Sequence, residues 1–195
     1  MSLAALETER APDYVQAFVG WRFWDVVETN GVVSLSSPYF PTVWPAGEPL
    51  RAECVARPLR RWLLRRFGGE PHAAPTERCG CGIYALAGKA FRDLVWDLGQ
   101  CPVVGRVSLW GEVHEHEHGW RAALAYPERL YVARRANARG ARHLVEGLRR
   151  YGTPVETLPF ARAELPEALS ELISSSTAAE LRLVADPLEG GESRS

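Results

Sequence analysis

Apolar and polar side chains alternate in two long stretches of the chain, which is the pattern of strands with one buried face. The first stretch, QAFVGWRFWDVVETNGVVSLSS, is interrupted at Asn30-Gly31, a pair that readily adopts the positive φ angles of a tight type I′ turn. The second runs from Pro102 to Pro127, with Val107, Leu109, Gly111 and Val113 alternating against Arg106, Ser108, Trp110 and Glu112. The pattern predicts a hairpin at Asn30-Gly31 and a long hairpin that turns near Gly119.

Other segments have the three-to-four-residue apolar spacing of amphipathic helices. This spacing occurs in KAFRDLVWDLG, NARGARHLVEGLRRYG, ELPEALSELISSS and RPLRRWLLRRFGG. GIYAL and RLYVA are predicted to be short strands, and TPVETLP a final strand or extended piece. Since RLYVA, a helix and TPVETLP follow one another, they are predicted to form a small βαβ unit on the sheet edge.

Together these elements predict an α+β fold, with a mainly antiparallel sheet, a long hairpin, helices packed on one side and C-terminal helical additions. We divide the chain into a flexible N-terminus at 1–13, a single α+β domain at 14–160, a helical appendage at 161–185 and a disordered tail at 186–195. The tail is rich in glycine, serine and charged residues, a composition that does not bury a core.

The overall composition excludes some classes of partner. The 195 residues are 46% hydrophobic, enough for a core, and the net charge of -1 gives no global field that attracts nucleic acid or an anionic membrane. No stretch approaches the roughly 18 apolar residues of a membrane span. The N-terminus has acidic residues and no apolar core, unlike a secretory signal. We therefore expect a cytoplasmic protein without a membrane partner, whose thiols stay reduced.

Three cysteines and a histidine are the strongest candidate for specific chemistry. Cys54, His72, Cys79 and Cys81 supply three sulfurs and an imidazole, a set that completes the tetrahedral shell of a structural zinc ion. The spacing Cys-x-Cys is less diagnostic than paired Cys-x-x-Cys knuckles, and Cys54 must be brought in by folding. Alternatively, Cys54 is a small buried hydrophobe and the other two are incidental thiols. Cys101 is expected to serve packing only.

The run HEHEH raises a second metal hypothesis. On a strand, His114 and His116 point to the same side as Glu112, so two imidazoles and a carboxylate are candidates for the site of a metal-dependent hydrolase. The alternative is a set of solvated side chains at a hairpin tip, which alternating charge usually marks. No serine nucleophile elbow, phosphate-binding loop or His-Glu-x-x-His motif occurs. The sequence leaves enzymatic activity open and favours a protein that is not an enzyme.

Arginines crowd the segment RPLRRWLLRRFGG. Its side chains Arg57, Arg60, Arg61, Arg65 and Arg66 are able to neutralise phosphates, and Trp62 is able to stack on a base. A surface helix that buries Trp62 and Leu63 and leaves the arginines in water explains the same pattern. We favour this second interpretation over nucleic-acid binding, because the net charge is near zero and no nucleic-acid-binding motif is present.

Two motifs carry a resemblance to a known group of proteins. The step GIYA at 82–85 and the segment LWGEVHEHEHGWRA at 109–122, followed by AYP at 125–127, resemble a family of small, largely uncharacterised bacterial and phage-encoded proteins. Members of that family often have an acidic residue after Arg-Ala, where this chain has Ala123. The resemblance implies that the hairpin is family architecture, and it implies no established activity.

The hairpin also offers candidate ligand-binding residues. Trp110 and Trp120 flank the tip and are predicted to cover one another across the strands, and the polar side chains beside them are expected to form a network. The candidate ligand-binding residues are Trp110, Glu112, His116, Glu117 and Arg121. The proline-rich loop PYFPTVWPAGEP, which its aromatic residues are expected to hold in place, is the second candidate binding region. The sequence thus predicts a zinc-stabilised recognition domain that binds a protein or a small ligand near the hairpin and this loop.

Overall fold

The computed structural model describes residues 18–40, 42–54, 72–94, 101–133, 138–158, 170–171 and 173–174. Seven strands and two helices are defined in these residues. The strands are β1 (Phe18–Thr29), β2 (Val32–Ser36), β3 (Leu50–Arg51), β4 (Ile83–Leu86), β5 (Val103–His116), β6 (Gly119–Val132) and β7 (Val155–Thr157). The helices are α1 (Gly88–Leu94) and α2 (Ala138–Leu148), and a short 3-10 turn at Arg149–Tyr151 follows α2. The described fold is mostly sheet with few helices, which is compatible with an α+β class.

The predicted first hairpin is confirmed. β1 and β2 pair antiparallel from Thr29–Val32 to Asp25–Ser36. Asn30 and Gly31 connect them with φ angles of 52° and 75°. These are the positive values that a type I′ turn requires, and asparagine and glycine adopt them at little cost.

The predicted long hairpin is also confirmed, but its second strand is longer than expected. β5 and β6 pair antiparallel from His116–Gly119 to Val103–Val132. RLYVA was predicted to be a separate strand and is instead the continuation of β6 beyond Pro127. The register shifts by one residue at this point, since Arg106 faces Arg129 while Val107 faces Pro127. A bulge accommodates the proline, which lacks the N–H of a regular ladder.

The predicted βαβ unit is present. β7 pairs parallel with β6, from Leu130–Val155 to Val132–Thr157, and α2 lies between them in the chain. All other strand pairs are antiparallel. The sheet is therefore mixed, with its single described parallel pair at the predicted place.

The pairings of four strands close on themselves. β1 pairs with β5, β5 with β6, β6 with β4, and β4 returns to β1 through Leu86 and Trp21. Beyond that single pair β1 and β4 diverge, and β1 continues as the partner of β2. Gly20 permits the close approach of β4, since a Cβ there would lie 2.7 Å from the Cβ of Ala85.

Helices pack on both faces of the sheet, so the prediction of helices on one side is wrong. An inner cluster contains Trp24, Val103 and Leu130 and is covered by α2 through Leu148. An outer cluster contains Phe23, Val104 and Tyr131 together with Phe91 of α1 and Ile173. Neighbouring residues of one strand point to opposite faces, so the consecutive apolar pairs Phe23-Trp24 and Val103-Val104 make both faces apolar.

Several predictions fall outside the described residues. These are the arginine-rich segment at 57–66, the N-terminus at 1–13, the tail at 186–195, and most of the predicted appendage at 161–185. Within that appendage, residue 173 is buried in the outer cluster. Among the described residues, no helix is long and apolar enough to cross a membrane.

Candidate metal centre

The candidate centre lies where two short strands meet end to end along one edge of β6. β3 pairs with Ala125 and Leu124, and Ala52 then donates its backbone N–H to the carbonyl of Ala123 at 2.8 Å. β4 begins opposite Ala122, the next residue of β6. The chain leaving β3 therefore passes the chain entering β4. This arrangement brings Cys54, just after β3, to Cys79 and Cys81, just before β4.

All four predicted ligands come together at this point. The ligand atoms of Cys54, His72, Cys79 and Cys81 all lie within 4.8 Å of one another. The Sγ atoms of Cys54 and Cys79 are 3.8 Å apart, and Cys81 Sγ is 3.4 Å from His72 Nε2. Four ligands at zinc–sulfur and zinc–nitrogen bond lengths would be separated by about 3.6–3.8 Å along the edges of a tetrahedron. The separation of the two sulfurs is far longer than a disulfide bond, and the four cysteines are free.

Side chains of β4 and β6 hold the backbone that carries the two close cysteines. Arg121 donates from Nη1 to the carbonyl oxygens of Cys79 and Cys81, the latter at 3.1 Å. The Tyr84 hydroxyl donates to the carbonyl oxygen of Gly80 at 2.7 Å. Three consecutive carbonyls are thus fixed by groups outside the ligand set. Such outer contacts orient metal ligands before an ion binds.

Gly82 fits the chain into the narrow space between this loop and the sheet. Its φ is +128°, a value that residues with a side chain rarely adopt. A Cβ at this position would lie 3.2 Å from Pro75 and 3.3 Å from Arg121. Glycine therefore relieves backbone strain beside Cys81 at this position. At Gly80 φ is not positive, and the nearest atom to a Cβ would be the Tyr84 hydroxyl at 3.6 Å.

The three thiols differ in acidity because they share one site. Burial, together with the hydrogen bond and charge of Cys79, raises the pKa of Cys54 to about 11. Burial also opposes ionisation of Cys79, but hydrogen bonds from the backbone and thiol of Cys81, from Cys54 and from His72 outweigh it and lower the pKa to about 7. Burial and the neighbouring Cys79 raise the pKa of Cys81. Cys79 is therefore the thiol that ionises first, and a thiolate is the form that binds metal.

The donor set fits a closed, architectural ion site. Three sulfurs and one imidazole fill a tetrahedral shell. They leave no open position for water or substrate, which a catalytic zinc ion needs. The cysteines are half-buried and His72 is exposed. Among the described residues this is the only group of three or more histidine, cysteine, aspartate or glutamate side chains close enough to hold a metal ion. An ion bound here would join the end of β3 to the start of β4 and to the segment at 72.

The hairpin histidines do not form a second group of this kind. His114 Nε2 lies 2.8 Å from Glu112 Oε1, so this pair is engaged with itself. His116 Nδ1 accepts from the backbone N–H of His118 at 3.3 Å, and its ring packs 5.6 Å from the ring of Tyr84. His116 Nε2 is buried with no hydrogen-bond partner among the described residues. The strand spacing thus places the imidazoles on one side of β5 without converging them on one point.

The other candidate ligand-binding residues are spread along the hairpin. Glu117 is exposed in the turn, whereas Arg121 points to the metal centre rather than away from it. Trp110 is half-buried and faces Leu124, and Trp120 faces Glu115 and packs on Phe18 with ring centroids 6.1 Å apart. The prediction that the two tryptophans cover one another is wrong, because Trp110 pairs with Leu124 and Trp120 with Glu115, at well-separated positions along the hairpin.

Sequence reasoning missed Arg22, a cation within β1. It lies among Ser37, Trp44 and Tyr84, with its Nε buried and without a hydrogen-bond partner among the described residues. The only local signal was a charged residue within the apolar run WRFW. Nor did the sequence indicate that Arg121 binds backbone carbonyls, because that contact spans about forty residues of chain.

Comparison with known proteins adds no assignment. No family model matches the chain, and neither a curated protein nor a solved structure matches it. The resemblance to the bacterial and phage-encoded family therefore stays a prediction.

Proposed function

We propose that this chain is a zinc-stabilised recognition domain. The observation that carries the proposal is the convergence of Cys54, His72, Cys79 and Cys81 within 4.8 Å, although they are brought from separate segments. Zinc is the ion that a sulfur-rich, four-ligand tetrahedral set favours among those available to cells. In a reducing cytoplasm, thiols at these distances bind metal rather than form disulfides.

The ion would serve architecture rather than reaction. Its four ligands leave no open coordination position, and its neighbours Arg121 and Tyr84 are committed to backbone carbonyls. The positive charge of Arg121 also compensates a centre that three thiolates make negative. These features support a role in fixing the loops between β3 and β4 in one conformation.

Recognition is assigned to two exposed regions, the proline-rich loop and the long hairpin. In the proline-rich loop, the apolar side chains of Tyr39, Phe40 and Val43 are 74%, 60% and 53% exposed. Neighbouring exposed apolar side chains are typical of interaction sites. The exposed acids Glu112 and Glu117 and the imidazole of His116 lie along the hairpin. A partner protein or small ligand that contacts both regions is the proposed binding partner, in an α+β protein of the bacterial and phage-encoded type.

Native mass spectrometry with metal analysis tests the proposal directly. The parent protein, purified without added metal, is expected to carry one zinc ion. Cys81→Ser removes one of four ligands and is expected to lose the ion and to unfold at a temperature several degrees lower. Cys101→Ser is the matched control, because Cys101 is a half-buried thiol outside the cluster.

The outcomes of this experiment distinguish the proposed zinc centre from the alternatives. One zinc in the parent and in Cys101→Ser but none in Cys81→Ser supports the proposal. A zinc ion that survives Cys81→Ser and is lost in His114→Ala would instead favour the hydrolase hypothesis at Glu112, His114 and His116. A parent protein that binds no zinc after dialysis against a micromolar zinc buffer would overturn the proposal.

A further inference from the structure

Arg22 is a half-buried cation whose Nε is buried, and it has no carboxylate partner among the described residues. It lies on the same face of β1 as Trp24 and points into the inner cluster, where charged side chains are normally paired. The described ion pairs include no partner for Arg22. The nearest acid along β1, Asp25, lies on the opposite face because side chains alternate. Burial lowers the pKa of Arg22 to about 10, so the guanidinium still carries its charge at neutral pH.

Two hydrogen bonds and one ring fix the guanidinium in place. Nη1 donates to the carbonyl of Tyr84, where β1 and β4 diverge and no backbone N–H of β1 reaches it. Nη2 donates to Ser37 Oγ at 3.0 Å, and the guanidinium carbon lies 5.2 Å from the centre of the Trp44 ring. Trp44 Nε1 donates to the same Ser37 oxygen at 3.0 Å. The three side chains therefore form one connected unit.

Among the described residues, the unit has N–H and O–H donors without a partner, and the Ser37 oxygen already accepts two hydrogen bonds. A guanidinium has five N–H bonds, of which two are used here, and the Nε–H is buried without a partner among the described residues. Ser37 Oγ already accepts from Arg22 and Trp44, so its own hydrogen is free to be donated. Ser37 is itself buried. Unpaired donors around a desolvated positive charge are costly unless a negatively charged acceptor joins them.

The frame that carries these donors is rigid. The backbone N–H of Trp44 donates to the carbonyl of Leu35 at 2.9 Å, and the Tyr151 hydroxyl donates to the carbonyl of Trp44 at 2.8 Å. The Trp44 ring packs edge-on against Trp24 with centroids 5.4 Å apart. A site held in this way does not need to be ordered when a ligand binds, which favours affinity.

We propose that Arg22 and Ser37, on the platform of Trp44, form a binding site for an oxyanion, the carboxylate or phosphate group of a small ligand. Arg22 supplies charge and the remaining N–H donors, and Ser37 supplies an O–H donor. The segment between Ser37 and Trp44 carries the exposed rings of Tyr39 and Phe40, which are available to the rest of such a ligand. None of its three side chains is a candidate metal ligand, and among the described residues its one link to the metal centre is Tyr84, whose carbonyl accepts from Arg22 and whose hydroxyl donates to Gly80.

Nuclear magnetic resonance tests the site through the arginine side-chain Nε–H signals of the full-length protein. The Arg22 signal is identified by its loss in Arg22→Lys. Inorganic phosphate and acetate are titrated separately, at constant ionic strength maintained with chloride, to distinguish the two oxyanion classes. We expect one of them to shift the Arg22 signal saturably, and Ser37→Ala to weaken that binding about tenfold because one hydrogen bond to a charged group is removed.

Arg129→Lys is the control, since Arg129 forms an exposed ion pair with Glu156. It should leave the Arg22 titration unchanged. The indole Nε1–H signal of Trp44, which lies at the site, is followed as well. It should shift saturably in the parent and in Arg129→Lys, and should not do so in Arg22→Lys. Should Arg22→Lys fail to fold, the parent titration and Ser37→Ala still decide the question. A shift that rises linearly with salt, that is equal in Ser37→Ala, or that is absent with both anions would overturn the proposal.

Discussion

At the scale of single residues, Arg121 connects the long hairpin to the candidate metal centre. Its guanidinium binds the carbonyls of Cys79 and Cys81 from a strand that contributes no ligand of its own. Lysine keeps the charge but lacks the planar group that reaches two carbonyls at once. We predict that Arg121→Lys lowers the affinity for zinc by about tenfold or more, as measured by competition with a chromogenic chelator.

Two further variants separate orientation from charge at this position. Tyr84→Phe removes only the hydrogen bond to Gly80 and should weaken zinc binding in the same direction, with no change of charge. Arg129→Lys, at an exposed ion pair, should leave the affinity unchanged. If Arg121→Lys binds zinc as tightly as the parent, the carbonyl contacts do not orient the ligands.

At the scale of elements, Gly119 is the position where three strands meet. It faces His116 of β5 and Leu86 of β4, and a Cβ there would lie 2.2 Å from the carbonyl oxygen of Ala85. Its φ of +150° is also unfavourable for other residues. We predict that Gly119→Ala lowers the free energy of unfolding by about 3 kcal/mol, measured by urea denaturation.

Gly140 in α2 provides the opposite case with the same substitution. No atom lies within 4 Å of a Cβ built at this position, so alanine meets no clash. Since alanine is the better helix former, Gly140→Ala should leave stability unchanged or raise it by up to about 1 kcal/mol. Equal effects of the two substitutions would contradict the assignment of Gly119 to a crowded strand junction.

Elements with local signals were predictable from the sequence. The Asn30-Gly31 turn, the alternation along β5 and the order of strand, helix and strand at 119–157 all act over short distances. The closure of β4 onto β1 and the continuation of β6 past Pro127 depend on pairings across the sheet, which no local pattern encodes. Packing on both faces was visible in the pairs Phe23-Trp24 and Val103-Val104 but conflicts with a simple alternating pattern.

The candidate site was predictable in its chemistry but not in its mechanism of assembly. Sulfur and imidazole identify a ligand set from the sequence alone, whereas its convergence depends on β3 and β4 meeting at Ala122 and Ala123 of β6. Arg22 was missed for the same reason. The role proposed for Arg22 depends on Ser37 and Trp44, which the fold brings beside it from another segment.

At the scale of the whole molecule, the hydrophobic core and the metal centre are distinct sources of stability. The inner and outer clusters contain the large buried side chains, among them Trp24, Trp44 and Phe91, and include none of the four candidate ligands. Many small zinc domains unfold without metal because they lack such a core. Here the sheet should persist without the ion, and only the segments at 52–54 and 72–82 should loosen.

Removal of the metal should therefore lower stability without abolishing the fold. An ion present at about a thousandfold excess over its dissociation constant contributes about 4 kcal/mol, which corresponds to a fall of about 10 °C in the melting temperature of a chain of this size. After chelation, calorimetry should show that fall, while the near-ultraviolet circular dichroism of the buried tryptophans is kept.

Alkylation of the cysteines after chelation tests the same centre. Iodoacetamide at pH 7.5 should modify Cys79 first, because its pKa is about 7. It should spare Cys101, because burial and Asp25 raise the pKa of that thiol to about 11. A melting temperature and a Cys79 alkylation rate that chelation leaves unchanged would show that the four side chains hold no ion, and loss of the tryptophan signal would show that the core does not stand alone.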